Sequence, residues 1–203
     1  MRNILYRRVV VPIKKEKQMT TKTTWQIDPT HSSVDLAVKH MMFTTVRGRF
    51  TDVKGTIEVD EQHPDRSTVN VEIAAASIDT GVADRDAHLR SGDFLDVENH
   101  PTITFRSKRV EGAMKNEGDR FKVIGDLTIR GKSVEVTLDT TYLGSGKDPW
   151  GNFKTAAEAT AKIDRREFGL TWNQALETGG ILVSNDIRID IQVQAVKAVA
   201  VAA

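Results

Sequence analysis

The sequence predicts an all-β fold of about eight antiparallel strands, and three observations carry that expectation. Apolar and polar residues alternate with period two through almost the whole chain, as strands with one buried face do. Short turn segments such as "NEGD" (116–119) and "RGK" (130–132) join consecutive runs, which suits hairpins. A single connection, "TGVADRDAHLRSGDFLD" (80–96), has the character of a helix.

The first run sets Val34, Leu36 and Val38 on one face against Ser33, Asp35 and Lys39 on the other. His40 continues the inward parity and puts an imidazole at the end of an apolar lining. Val53, Ile57 and Val59 make the next inward set, followed by Val69, Val71 and Ile73. After the helical stretch come Ile103 and Phe105, then Phe121, Val123, Leu127 and Ile129, then Val134, Val136 and Leu138. Ala157, Ala159, Ala161 and Ile163 alternate with Glu158, Thr160, Lys162 and Asp164, and Ile187, Ile189, Ile191 and Val193 close the series.

Strands with one apolar face can close into an up-and-down barrel, which removes its own edges, or stack as a two-sheet sandwich. The inward set is mostly Val, Ile, Leu and Ala, with Gly125 on the same parity. An eight-stranded barrel is either filled by side chains or holds one small ligand. Small inward residues point to an apolar tunnel, lined by Phe105, Leu127, Ala157, Ala159 and Ala161; the alternative is a sheet closed tightly over them.

In the helical stretch, expected over about residues 81–95, Thr80 is a candidate cap and Ser91–Gly92 a stop. Leu89 faces the barrel, with Val82 or Arg85 at helical spacing. Arg85 and His88 then either lock the helix down or act as rim donors to a polar head group. Phe94 follows in a second short turn. Trp150, Phe153, Phe168 and Trp172 flank the alanine run in sequence, placed either to pin loops or to grip a lipid chain.

Composition bounds the rest. At 203 residues, 39% hydrophobic and 28% charged, with no apolar run near the ~20 residues of a membrane helix, the chain reads as one globular domain. It has no cysteine, which excludes disulfides and thiolate chemistry. Residues 1–18 carry a net charge of +5, leaving −4 for the rest, so no basic face for nucleic acid stands out. "VVVPI" is too short for a secretion signal and runs into Lys14 and Lys15. The expectation is a disordered basic extension over 1–18, a barrel over 19–197, a frayed tail over 198–203, and a cytoplasmic protein.

Four stretches carry a family resemblance: "WQIDPTHSSVDLAVKHMMFTTVRGRFTDVKGTI" (25–57), "ASIDTGVADRDAHLRSGDFLDVENHPTITFRS" (76–107), "GDLTIRGKSVEVTL" (125–138) and "IDRREFGL" (163–170). In this order they resemble the YceI family of lipid-binding proteins. The resemblance implies a lipocalin-like antiparallel barrel, open at one end, with the helix at its mouth and a long isoprenoid or similar amphiphile in its pore. It also implies a homodimer.

The function expected is binding and shielding or carrying a long isoprenoid, polyprenyl or fatty-acid-like lipid, without a reaction. His40, Arg85, His88, Phe94, Phe105, Leu127, Ala157, Ala159, Ala161, Phe168 and Trp172 are the candidate ligand residues. No catalytic residue, metal or cofactor is expected, and transient membrane contact is compatible with a lipid cargo. Two rivals stand beside this reading: an enzyme of lipid or isoprenoid-quinone metabolism using His40 or His88 as acid or base, and a stress-related interaction protein with a solid barrel.

Overall fold

A computed structural model describes residues 22–112, 114–177 and 179–198. The basic segment 1–18 and most of the expected tail lie outside the described residues. Eleven strand segments make one antiparallel sheet: β1 (Lys22–Ile27), β2 (Ser33–His40), β3 (Thr44–Phe50), β4 (Val53–Asp60), β5 (Thr68–Ala74), β6 (Ile78–Asp79), β7 (Thr102–Gly112), β8 (Arg120–Ile129), β9 (Lys132–Lys147), β10 (Phe153–Asp164) and β11 (Val183–Lys197). The helix α1 (Ala83–Arg90) lies between β6 and β7.

The eleven segments reduce to eight barrel strands. β1 pairs with β4 and β2 with β3, while β11 pairs with both β1 and β2, so β1 and β2 are halves of one interrupted strand. Only Thr51 and Asp52 separate β3 from β4, and β5 and β6 lie against β4 and β3 in turn. Each composite strand neighbours the next in sequence, and the ring closes where Trp25, Gln26 and Ile27 pair with Lys197, Val196 and Ala195. The eight runs read from the sequence each represent one barrel strand. The halves β1, β3 and β6 escape that reading; in β3 the inward position between Val46 and Phe50 is Gly48, which weakens the apolar alternation.

Turn chemistry sets the register. Arg130 and Gly131 both have positive φ (50° and 70°) between the paired residues Ile129 and Lys132, the geometry of a two-residue hairpin loop matched to strand twist. Gly125 is needed for a different reason from the one expected. A Cβ there would come within 2.4 Å of the Arg106 carbonyl and 2.8 Å of the Phe105 ring, beside the register shift between Ser107 and Arg109. Backbone and the Phe105 ring occupy that space, so Gly125 adds no volume to the interior.

The dense core sits beneath α1. Ile73, Ala75, Ile78, Leu95, Ile103, Phe105, Leu127, Ile129, Phe168 and Leu170 are buried there in one cluster. β6 does not pair with β7, and the α1 segment lies between them in the chain. α1 is shorter than expected and starts at Ala83, with Val82 as its N-cap and no side-chain cap. Thr80 instead reaches Asp86 through both its amide (2.9 Å) and its hydroxyl (2.5 Å). The buried side of the helix is Asp86 with Leu89; Val82 is exposed. Ser91 ends the helix as its C-cap, its hydroxyl donating to the His88 carbonyl at 2.8 Å.

Candidate functional site

Inward residues differ from one wall of the barrel to the other. On β7 and β8 the apolar ones are buried. On β2, β9 and β11, Val34, Leu36, Val38, Val134, Val136, Leu138, Ile187, Ile189, Ile191 and Val193 are only half-buried, although they alternate with outward charged residues such as Glu135, Asp139, Arg188 and Asp190. The described barrel therefore has an inward apolar lining on β2, β9 and β11 that is only half-buried, several of its residues resting on the core cluster, and a more densely buried side on β7 and β8.

The alanine run of β10 lies between β9 and β11. Ala159 lies opposite Thr140 and Ile191, and Ala161 opposite Ile189. Both alanines are buried and Ala157 is half-buried. Phe105 and Leu127 are cross-strand partners in the dense core, and Phe168, 1% exposed, is fixed in the same core.

One end of the barrel is framed by α1, the β2–β3 turn and the connection between β10 and β11. The rings of His88, Phe94 and Trp172 meet there: His88 stands edge-on to Phe94 (5.0 Å) and to Trp172 (4.7 Å), and Phe94 is 5.2 Å from Trp172. Three residues predicted separately thus clasp the helix segment to the opposite connection. His88 Nε2 lies 2.9 Å from Asp93, so its polar edge already has a partner. His40 ends β2 between Thr44 and Val183, half-buried and on the lumen's parity.

Arg85 is held by its surroundings, but not by a carboxylate. It donates to the Thr80 hydroxyl (2.7 Å) and carbonyl (2.9 Å). Hydrogen bonds from Thr80 hold the Asp86 carboxyl below the usual aspartate range, helped by the charges of Arg90 and Arg85. The Thr80 methyl carbon lies where a Cβ on Gly48 would meet it, 2.8 Å away, with Leu36 close by. Thr80, Arg85 and Asp86 thus form a polar knot beside a residue of the lumen wall.

The aromatic residues flanking the alanine run divide between the two ends. Trp150 is 84% exposed in the β9–β10 turn, and Phe153 packs against Trp25 at 5.9 Å, far along the barrel from Phe168 and Trp172.

Two supports were not read from the sequence. Arg90 donates to the Ala76 and Ile78 carbonyls and ties α1 to β6. Arg165, 2% exposed, donates to the carbonyls of Leu170, Trp172, Val183 and Ser184 and so folds the connection that carries Trp172. Burial lowers its pKa, against the opposing effect of the Asp164 charge. Nothing in a one-dimensional pattern separates these arginines from solvated ones.

Two concavities of about 1200 and 910 Å³ are lined by charged residues such as Lys39, Arg47, Glu135 and Arg188 and also touch the alanine run at Ala161 and Ala159. Their mixed charge makes them poor sites for an apolar chain. His31 meets both Thr30 (2.9 Å) and Asp28 (2.8 Å), but through the same atom, Nδ1, whereas a hydroxyl–imidazole–carboxylate relay uses both ring nitrogens. Among the described residues no group of three or more His, Asp or Glu is arranged to hold a metal, and no helix is long and apolar enough to cross a membrane.

Residues 25–195 match the family model of the YceI-like domain. A UPF0312 protein of Serratia proteamaculans is 36% identical over 168 residues, covering 83% of this chain and 82% of the relative. Among solved structures, BcnA of Burkholderia cenocepacia superposes with a TM-score of 0.70 at 23% identity, covering 83% of this chain and 98% of that one. A polyisoprenoid-binding domain of Saccharophagus degradans, implicated in plant cell wall breakdown, gives 0.60 at 12% identity, covering 86% and 98%. The two structures share the fold, a closed eight-stranded lipocalin-like barrel with one helix.

Proposed function

Since the chain belongs to the YceI-like domain family, we propose that its barrel binds a long apolar amphiphile, of the isoprenoid or fatty-acid type, and shields or carries it without a reaction of its own. The observation that carries this reading is the half-buried apolar lining of β2, β9 and β11 facing inward while charged residues face out. Each buried methylene contributes about 0.8 kcal/mol gross. A chain of some 15 to 20 carbons therefore gains on the order of 10 kcal/mol before ordering and association are subtracted. The polyisoprenoid ligand named for the Saccharophagus degradans domain is in keeping with this class.

The polar groups suit orientation more than chemistry. Arg85 and His88 are engaged by Thr80 and Asp93, and no hydroxyl bonds to the ring of His40 or His88 among the described residues. Among the described residues, a nucleophile, its base and oxyanion donors do not converge on the inward face, as acyl or glycosyl transfer would require. Native mass spectrometry of the purified protein tests the reading. Bound species that leave on delipidation and return with an isoprenoid alcohol support it; a protein that takes up no apolar chain refutes it.

A further inference from the structure

The β2–β3 turn is built in an uneconomical way. Phe43 N donates to the His40 carbonyl (3.1 Å) across Met41 and Met42, and both methionines sit in the left-handed region, at φ 51° and 63°. Such turns ordinarily use Asn and Gly, because side chains with a Cβ are disfavoured there; the β8–β9 turn of the same protein places Gly131 in its second position. Here the strain is accepted at two successive residues, and the result is an apolar tip: Met41, Met42 and Phe43 are 38%, 61% and 78% exposed.

The tip stands at the α1 end of the lumen. Val38 and Val46, paired across the hairpin just below it, are half-buried members of the inward set. Met41 N is anchored to the Leu182 carbonyl at 2.8 Å, and exposed Val82 precedes α1 at the same end. Lys39 and Arg47 point outward from the two arms of the hairpin, and neither has a carboxylate within ion-pair distance among the described residues, whereas Arg49 next along β3 has Asp79 at 3.8 Å.

We propose that this tip inserts into the surface of a lipid bilayer and seats the mouth of the barrel there, with Lys39 and Arg47 at the level of the head groups. The inference rests on the lipid-binding reading of the lumen. Three partly exposed side chains offer on the order of 300 Å², well short of the ~800 Å² per partner of a stable protein interface. Apolar residues flanked by cations are the composition by which peripheral proteins enter the interfacial zone. A second copy of the chain is the weaker occupant on grounds of area alone.

The test is flotation with vesicles of phosphatidylcholine, alone and mixed with phosphatidylserine, comparing wild type with the M42S/F43S double variant, M42G, and W150A at the opposite end. The expected result is vesicle binding by wild type and W150A, stronger by several-fold with phosphatidylserine, and reduced at least about tenfold in M42S/F43S. M42G, which relieves the strained backbone and removes one side chain, melts higher than wild type yet binds vesicles more weakly. Uptake of a soluble fluorescent fatty acid stays normal in all of these variants, which separates the tip from the lumen. Should fatty acid uptake fail in wild type while flotation persists, the lumen reading falls and the docking tip stands. Unchanged flotation of M42S/F43S, loss of flotation in W150A instead, or a change of oligomeric state in M42S/F43S without a change in flotation overturns the proposal.

Discussion

Asp28 gathers more partners than any one strand supplies. Its carboxylate accepts from the Thr30 amide and hydroxyl, meets His31 and Gln194, and lies 3.5 Å from Lys154, at the break between β1 and β2. The Thr30 hydroxyl bond is the main reason its pKa lies far below the ordinary value of 3.8, against the opposing effect of burial. A depressed folded-state pKa stabilises the fold above the unfolded value, and that stabilisation is lost as pH falls towards the folded one. Wild type should lose melting temperature steeply below about pH 4, and Asp28→Asn should be less stable at neutral pH and flatter in that acid range, as thermal melts across pH will register. Arg165 makes a second prediction. Arg165→Met strands buried carbonyls of the 165–184 connection, and chemical denaturation should show a loss of about 3 kcal/mol. Neither role is legible in the sequence: Asp28 reads as a turn residue and Arg165 as one of two adjacent arginines, because Gln194 and Lys154 reach Asp28 only when the barrel closes and the carbonyls around Arg165 converge only when the following connection folds back towards β11.

Among the elements, β8 and β10 show how two kinds of small residue serve different ends. Gly125 in β8 faces backbone and the Phe105 ring at distances no Cβ tolerates, so Gly125→Ala should cost about 2 kcal/mol by denaturant titration and disturb the bulge in β7. The alanines of β10 lie lower than the valine, leucine and isoleucine side chains of their neighbours. Ala159→Trp should leave the barrel folded, lower stability by no more than about 1 to 3 kcal/mol and abolish uptake of a fluorescent lipid. Normal uptake by that variant would remove the alanine run from the binding site. Period-two alternation made β10 and most other strands legible, because each has one wet and one dry face. The same rule passed over β1 and β3, where short apolar runs and Gly48 blur the alternation. The helix between β6 and β7 was legible in position but not in its capping, since Thr80 bonds to Asp86 six residues on instead of to the helix amides.

At the scale of the whole molecule, the barrel is buried unevenly. Residues under α1 and on β7 and β8 form the densest part of the core that gives the fold its stability, and the inward residues of β2, β9 and β11 rest on it half-buried. Closure between β1 and β11 leaves few unpaired sheet edges, and α1 stands where β6 and β7 do not meet. That the fold was a barrel and not a sandwich could not be read from alternation, which is the same in both; the family resemblance distinguished them, and the β1–β11 pairing is its physical basis. The clasp of His88, Phe94 and Trp172 was legible as separate residues only, because an 84-residue separation between His88 and Trp172 is bridged by the fold alone.

If the lumen holds an apolar chain, affinity must follow chain length more closely than head group, since the lining is apolar and Arg85 and His88 are already engaged by Thr80 and Asp93. The most direct measurement is a calorimetric titration of the delipidated protein with straight-chain alcohols and acids of increasing length. The expected result is a steady gain approaching about 0.8 kcal/mol per added methylene, the same for both head groups, that levels off once the lumen is full. Affinity independent of chain length, or no saturable binding at any length, would contradict a hollow barrel and leave a solid one.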